Sequence, residues 1–134
     1  MHLSVRPAAP LTLVALIAAA PACEEPSDPA ADGAYDRDPV EARFEEYGVV
    51  IDNYTDAPIY FNIYRAGALA LFAVCVDPVR CTSVPARSSR AVSFAQITAW
   101  ADDADRVEVD YWHLVPGGDG GYRPADRGKA VATR

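Results

Sequence analysis

Arg106-Val107-Glu108-Val109-Asp110-Tyr111-Trp112-His113-Leu114-Val115 decides the fold class. Val107, Val109, Tyr111, His113 and Val115 fall on one face, and Glu108, Asp110, Trp112 and Leu114 on the other. That period of two is the signature of a strand with one buried face. Immediately after it, Pro116-Gly117-Gly118-Asp119-Gly120-Gly121 reverses the chain, and Lys129-Ala130-Val131-Ala132-Thr133 follows as a last strand that pairs with it.

Upstream, the same texture repeats. Gly48-Val49-Val50-Ile51-Asp52-Asn53-Tyr54 is an aliphatic run that ends in the turn residues Asn53 to Pro58, and Ile59-Tyr60-Phe61-Asn62-Ile63-Tyr64 alternates after them. The two are expected to form a hairpin, with Ile59, Phe61 and Ile63 on the buried face. Leu69 to Val76 is continuously apolar between Gly67 and Asp77-Pro78 and reads as a central strand. Arg90 to Phe94 makes a short fourth strand after the loop Val84 to Ser89, and Gln96 to Ala101 is a helical turn or a crossing segment. About six short strands with polar turns predict an all-β fold, a small antiparallel two-sheet β-sandwich. The pattern resembles an immunoglobulin-like or fibronectin-type module, although the buried tryptophan and inter-sheet cysteine spacing of true immunoglobulin domains are missing.

Charge divides the chain. Residues 24–46 carry nine acids and two arginines, whereas residues 47–134 carry ten acids and nine bases, so the formal net charge of −7 belongs to the stretch before the sandwich. Glu24 to Pro39 repeats Pro, Ala and Asp with almost no bulky aliphatic residue, too little apolar surface to offset the entropy of ordering it. Val40 to Tyr47 has the length of one or two marginal helical turns and is left irregular. The expected organisation is a signal peptide at 1–22, a disordered acidic linker at 23–46 and one β-domain at 47–134.

The amino-terminal segment has Arg6, the apolar run Leu11 to Ala20 and the small residues Ala20-Pro21-Ala22, the three parts of a secretory signal in order. The run is shorter than the roughly 20 residues of a spanning helix. With Cys23 directly after the cleavage bond, the segment resembles the signal of bacterial lipoproteins. That resemblance implies lipidation of Cys23 and a membrane-anchored protein of the bacterial cell envelope, facing periplasm or exterior. Ala20 and Pro21 depart from the usual pattern, and Ala20-x-Ala22 also fits simple cleavage, which leaves secretion and a free or intermolecular Cys23 thiol as the alternatives.

If Cys23 is lipidated, Cys75 and Cys81 are left to pair, with Asp77-Pro78 starting the turn between them. Their spacing is not that of a redox C-x-x-C. With only His2 and His113 as further ligands, no metal and no cofactor are expected. Asp102-Asp103-Ala104-Asp105 offers hard oxygens but lacks calcium-loop spacing, and Gly117 to Gly121 lacks the ending of a phosphate loop.

No catalytic constellation is apparent. The expected function is a non-enzymatic, membrane-tethered envelope module that binds a protein or a glycan, or that is purely structural. Its candidate interface is an aromatic and arginine surface of Tyr60, Tyr64, Trp112, Tyr122 and Arg123. The alternative is a small hydrolase or accessory subunit using His113 with Asp110 or Ser93, although alternation places Asp110 and His113 on opposite faces. Nucleic acid is disfavoured by the export signal and the near-neutral domain.

Overall fold

The computed structural model describes residues 37–68 and 72–134. The signal segment, Cys23, the linker up to residue 36 and Leu69 to Leu71 lie outside them. The described chain is an all-β sandwich of seven strands: β1 (Val40–Glu45), β2 (Gly48–Asn53), β3 (Ile59–Arg65), β4 (Ser83–Val84), β5 (Ser88–Ser93), β6 (Arg106–Pro116) and β7 (Tyr122–Thr133). One antiparallel sheet has the order β1-β2-β5, the other β4-β3-β6-β7.

Alternation builds the core. Val40, Val49, Ile51 and Val92 face Ile59, Phe61, Ile63, Val107, Val109 and Tyr111 across the interior, with Val84, Ile97, Ala130 and Ala132 filling between. In the larger sheet Phe61 pairs with Tyr111 and Ile63 with Val109, so aromatic and β-branched partners stand side by side, the pairing that stabilises sheets most. Gly128 lies opposite Tyr111 and has no side chain because the tyrosine ring occupies the place a Cβ would take. One end of the sandwich is closed by Phe44, Phe94 and Trp100, with the Arg134 guanidinium 5.0–5.4 Å from all three ring centres.

Four expectations need correction. Val40 to Glu45, assigned to the linker, is a strand: Val40, Ala42 and Phe44 turn inward between Glu41, Arg43 and Glu45, and a two-residue turn at Glu46-Tyr47 returns the chain to β2. β2 and β3 are not a hairpin, because β1 and β5 occupy both edges of β2 and the loop at Tyr54 to Pro58 crosses to the other sheet. Residues 72–76 form no strand. The last strand starts at Tyr122, seven residues earlier than expected, and pairs with β6 along almost its whole length.

The crossing loop is held by Asn53, which is buried (1% exposed). Its amide nitrogen donates to the carbonyls of Ala57 (2.9 Å), Val84 (3.2 Å) and Pro85 (3.0 Å). Its oxygen accepts from the Thr55 backbone N–H (3.0 Å) and hydroxyl (2.7 Å). One side chain thus satisfies backbone groups of the loop after β2 and of the end of β4.

Candidate functional site

The outer face of the four-stranded sheet carries Tyr60, Asn62 and Tyr64 from β3, set opposite Trp112, Asp110 and Glu108 from β6. It is not open to solvent. The segment following Leu71 lies across it: Trp112 donates its indole N–H to the Cys75 carbonyl (3.0 Å), and the Tyr64 and Phe72 rings are 5.3 Å apart. Cys75 and Cys81 form a disulfide with a Cα separation of 5.7 Å. Between them Asp77 starts the turn, its carboxylate accepting from Val79 N–H (2.9 Å) and its carbonyl from Cys81 N–H (2.9 Å). Residues 72–76, the described part of a run that reads as a strand, are here the cover of a sheet face. Its Cys75 carbonyl is satisfied by an indole rather than by a neighbouring strand.

Where the cover lifts from the sheet there is a cavity of about 250 Å³, lined by Asn62, Asp110, Trp112, Arg127 and Phe72 to Val74. This is somewhat below the roughly 300–1,000 Å³ of drug-sized sites and suits a single ring-sized group. Asn62 and Asp110 are direct cross-strand partners, so their polar ends are held side by side by two hydrogen-bonded strands. The Asn62 side chain makes no hydrogen bond among the described residues and offers a donor and an acceptor. Asp110 accepts from the Tyr64 hydroxyl (2.9 Å) and has Lys129 3.8 Å away. Phe72 and Asn62 also line a second cavity of about 190 Å³ bounded by Thr82, Arg90 and Gln96.

Charges on this face are coupled. Lys129 pairs with Glu108 at 2.9 Å, and Arg106 approaches the same carboxylate at 3.6 Å. The hydrogen bond from Lys129 holds the Glu108 carboxyl below its usual pKa, and the bond to Glu108, followed by that to Tyr64, raises Lys129. Burial, then the bond to Asp110, raises the Tyr64 hydroxyl. At neutral pH the face therefore presents an ionised Glu108, a charged Lys129 and a neutral Tyr64. Arg127 is exposed and has no ion-pair partner among the described residues.

The expected aromatic and arginine surface does not form. Tyr60, Tyr64 and Trp112 are 8%, 7% and 1% exposed, and Tyr64 and Trp112 are in contact with the cover. Tyr122 is exposed, as is Arg123, at the start of β7 opposite Pro116 and Val115. Alternation marks which residues share a face but not whether a loop covers it. His113 follows a register shift between Tyr111 and His113, and its Nδ1 lies 2.9 Å from the Pro58 carbonyl, to which it donates since a carbonyl only accepts. Asp110 is engaged by Tyr64, and the Ser93 hydroxyl, in the other sheet, donates to Gln96 (3.2 Å). The hydrolase grouping is thus not brought together.

Asp102 serves local structure, accepting from the Trp100 indole (3.3 Å) through its carboxylate and from Arg134 (3.2 Å) through its carbonyl. Among the described residues no three His, Cys, Asp or Glu side chains are placed to hold a metal. Gly117 to Gly121 is the β6–β7 turn, closed by Gly117 N–H on the Gly121 carbonyl (2.8 Å). A cavity of about 500 Å³ on the other sheet is lined by Tyr47, Gly48, Val50, Ala91 and their neighbours, and its walls are mostly apolar side chains and backbone.

The pocket residues Asn62, Phe72 and Arg127 were not singled out from sequence. The signal that marks Asn62 is a lone amide in the middle of an otherwise aromatic and aliphatic strand.

The disulfide fixes one wall of the pocket. Replacing Cys75 and Cys81 by serine is expected to lower stability by about 2 kcal/mol, as loop closure over so short a segment implies. Phe72 and Trp112 should also become more exposed. Urea denaturation together with tryptophan emission in the native state checks both.

No family model, curated protein or solved structure matches this chain.

Proposed function

We propose that this protein is a non-enzymatic lipoprotein of the bacterial envelope, tethered by lipidated Cys23, whose sandwich binds a glycan in the pocket over Asn62 and Asp110. The observation that carries the reading is the pocket's composition: an amide and a carboxylate locked side by side on adjacent strands, against walls supplied by Phe72 and Trp112. Sugars present this pair of demands, with vicinal hydroxyls that both donate and accept and a ring face of C–H groups that packs on apolar surface. Placing the polar groups on strands rather than loops fixes their spacing before a ligand arrives, which lowers the ordering cost of binding. A protein partner is less well served, because Tyr60, Tyr64 and Trp112, three of the four aromatics of the expected surface, are already buried within the chain.

The amino-terminal reading supplies the setting. A signal-like segment, a cysteine at the cleavage bond and about 16 residues rich in Pro, Ala and Asp hold a small domain at a distance from a membrane surface.

Two measurements test the proposal. The intact mass of mature protein from the membrane fraction should show a diacylated Cys23, and Cys23→Ser should move the protein to the soluble fraction. Recovery of an unlipidated soluble chain contradicts the tether. Titration of the full chain with soluble fragments of envelope polysaccharide should give saturable binding that weakens at least tenfold in Asn62→Ala. Absence of binding across neutral and acidic fragments contradicts the glycan site.

A further inference from the structure

Resting on that reading of the pocket as a saccharide site, we infer that it selects sugars bearing a carboxylate, and that Arg127 is the residue that reads the acid. Three cations of β6 and β7, Arg106, Arg127 and Lys129, and two carboxylates, Glu108 and Asp110, lie on or beside this face, and Arg90 borders the neighbouring cavity. Lys129 and Arg106 are spent on Glu108, and Lys129 also lies beside Asp110. Arg127 alone lines the cavity with no ion-pair partner among the described residues. A guanidinium presents a planar fork of donors that matches a carboxylate in a bidentate arrangement, which a neutral hydroxyl does not fill.

Asp110 also lines the cavity, and on its own would repel an acidic ligand. Its charge is already engaged, by the Tyr64 hydroxyl on one oxygen and by Lys129 near the other. The excess charge met by a ligand in the cavity is therefore that of Arg127. Residues 47–134 carry ten acids and nine bases, so the domain has no general attraction for anions, and any preference for acidic sugars must be local to this pocket. The division of labour follows from placement. Asn62 and Asp110 take ring hydroxyls at the pocket floor, the apolar wall takes the ring face, and Arg127, on β7 at the open side, takes the carboxylate.

The test compares two probes on the full chain: a glucuronic-acid-containing disaccharide and its neutral glucose counterpart, titrated calorimetrically into wild type, Arg127→Ala, Arg127→Lys and Asn62→Ala. The acidic disaccharide should bind wild type about tenfold more tightly or better, with an advantage that shrinks as salt rises. Arg127→Ala should bring the two affinities together, by weakening the acidic disaccharide about tenfold or more and the neutral one by less. Arg127→Lys, which keeps the charge but not the fork, should fall between. Because Arg127 is exposed, these variants keep the fold.

Equal affinity of wild type for the two sugars, or an acidic preference that survives Arg127→Ala, overturns the inference. In both cases neutral binding that is still weakened by Asn62→Ala leaves the pocket reading standing. Failure of both sugars to bind wild type overturns the pocket reading and this inference with it.

Discussion

Asn53→Asp is expected to be the most damaging single change of similar size in this domain, lowering unfolding free energy by about 4 kcal/mol, in the range for an uncompensated buried charge. The amide nitrogen of Asn53 faces the carbonyls of Ala57, Val84 and Pro85, and the side chain is almost fully buried. An aspartate has the same shape but no donor, and it places a negative oxygen against three acceptors in a site that water barely enters. Asn53→Ala removes the side chain without adding charge and should cost less, about 2 kcal/mol, for backbone groups left partly unpaired. Urea denaturation followed by circular dichroism measures both. The ordering of aspartate below alanine is the informative result, since hydrophobic volume alone would rank them the other way. Equal stability of wild type and Asn53→Asp would mean that the crossing loop is not held by this residue.

Trp112→Ala should cost about 3–5 kcal/mol, the range for deleting a buried aromatic. Trp112 is the largest fully buried side chain of the domain, yet it does not belong to the interior between the sheets. It is buried by the disulfide-closed segment, whose Cys75 carbonyl it satisfies. Its removal opens a void beneath that segment and leaves the carbonyl unpaired, so the pocket wall should loosen together with the loss of stability. Trp112→Phe keeps most of the apolar contact and loses only the donor, and should cost about 1 kcal/mol. Thermal unfolding of the two variants separates packing from hydrogen bonding. If Trp112→Ala were no worse than Trp112→Phe, the cover would not be packed on this residue.

The contrast between these two residues shows what is legible in the sequence. β3 and β6 are readable because Ile59, Phe61, Ile63 and Val107, Val109, Tyr111 alternate with polar or aromatic neighbours over a full strand. The disulfide follows from cysteine arithmetic and the turn chemistry of Asp77-Pro78. β1 is hidden because Glu41, Arg43, Glu45 and Glu46 dominate its composition, and charge masks the inward alternation of Val40, Ala42 and Phe44. Residues 72–76 read as a strand for the opposite reason. Hydrophobic residues that cover the outside of a sheet have the same composition as residues that build one, and only the lateral hydrogen-bond partners distinguish them. The pocket is a consequence of that cover. Neither the convergence of Asn62 with Arg127, 65 positions apart in the chain, nor the burial of Tyr60, Tyr64 and Trp112 has any local signature, since both arise from long-range placement.

The central claim is that a saccharide binds on the outer face of the four-stranded sheet beside Trp112. The chain has two tryptophans, Trp100 packed against Phe44 and Phe94, and Trp112 at the pocket. A nitrogen–proton correlation spectrum therefore carries two indole signals, one for the site and one as an internal control. Adding the glucuronic-acid-containing disaccharide should shift the Trp112 indole and the backbone signals of Asn62, Asp110 and Arg127 in a saturable way, while the Trp100 indole stays in place. Shifts confined to Tyr47, Val50 and Ala91 on the other sheet, or no saturable shifts at all, would contradict the claim.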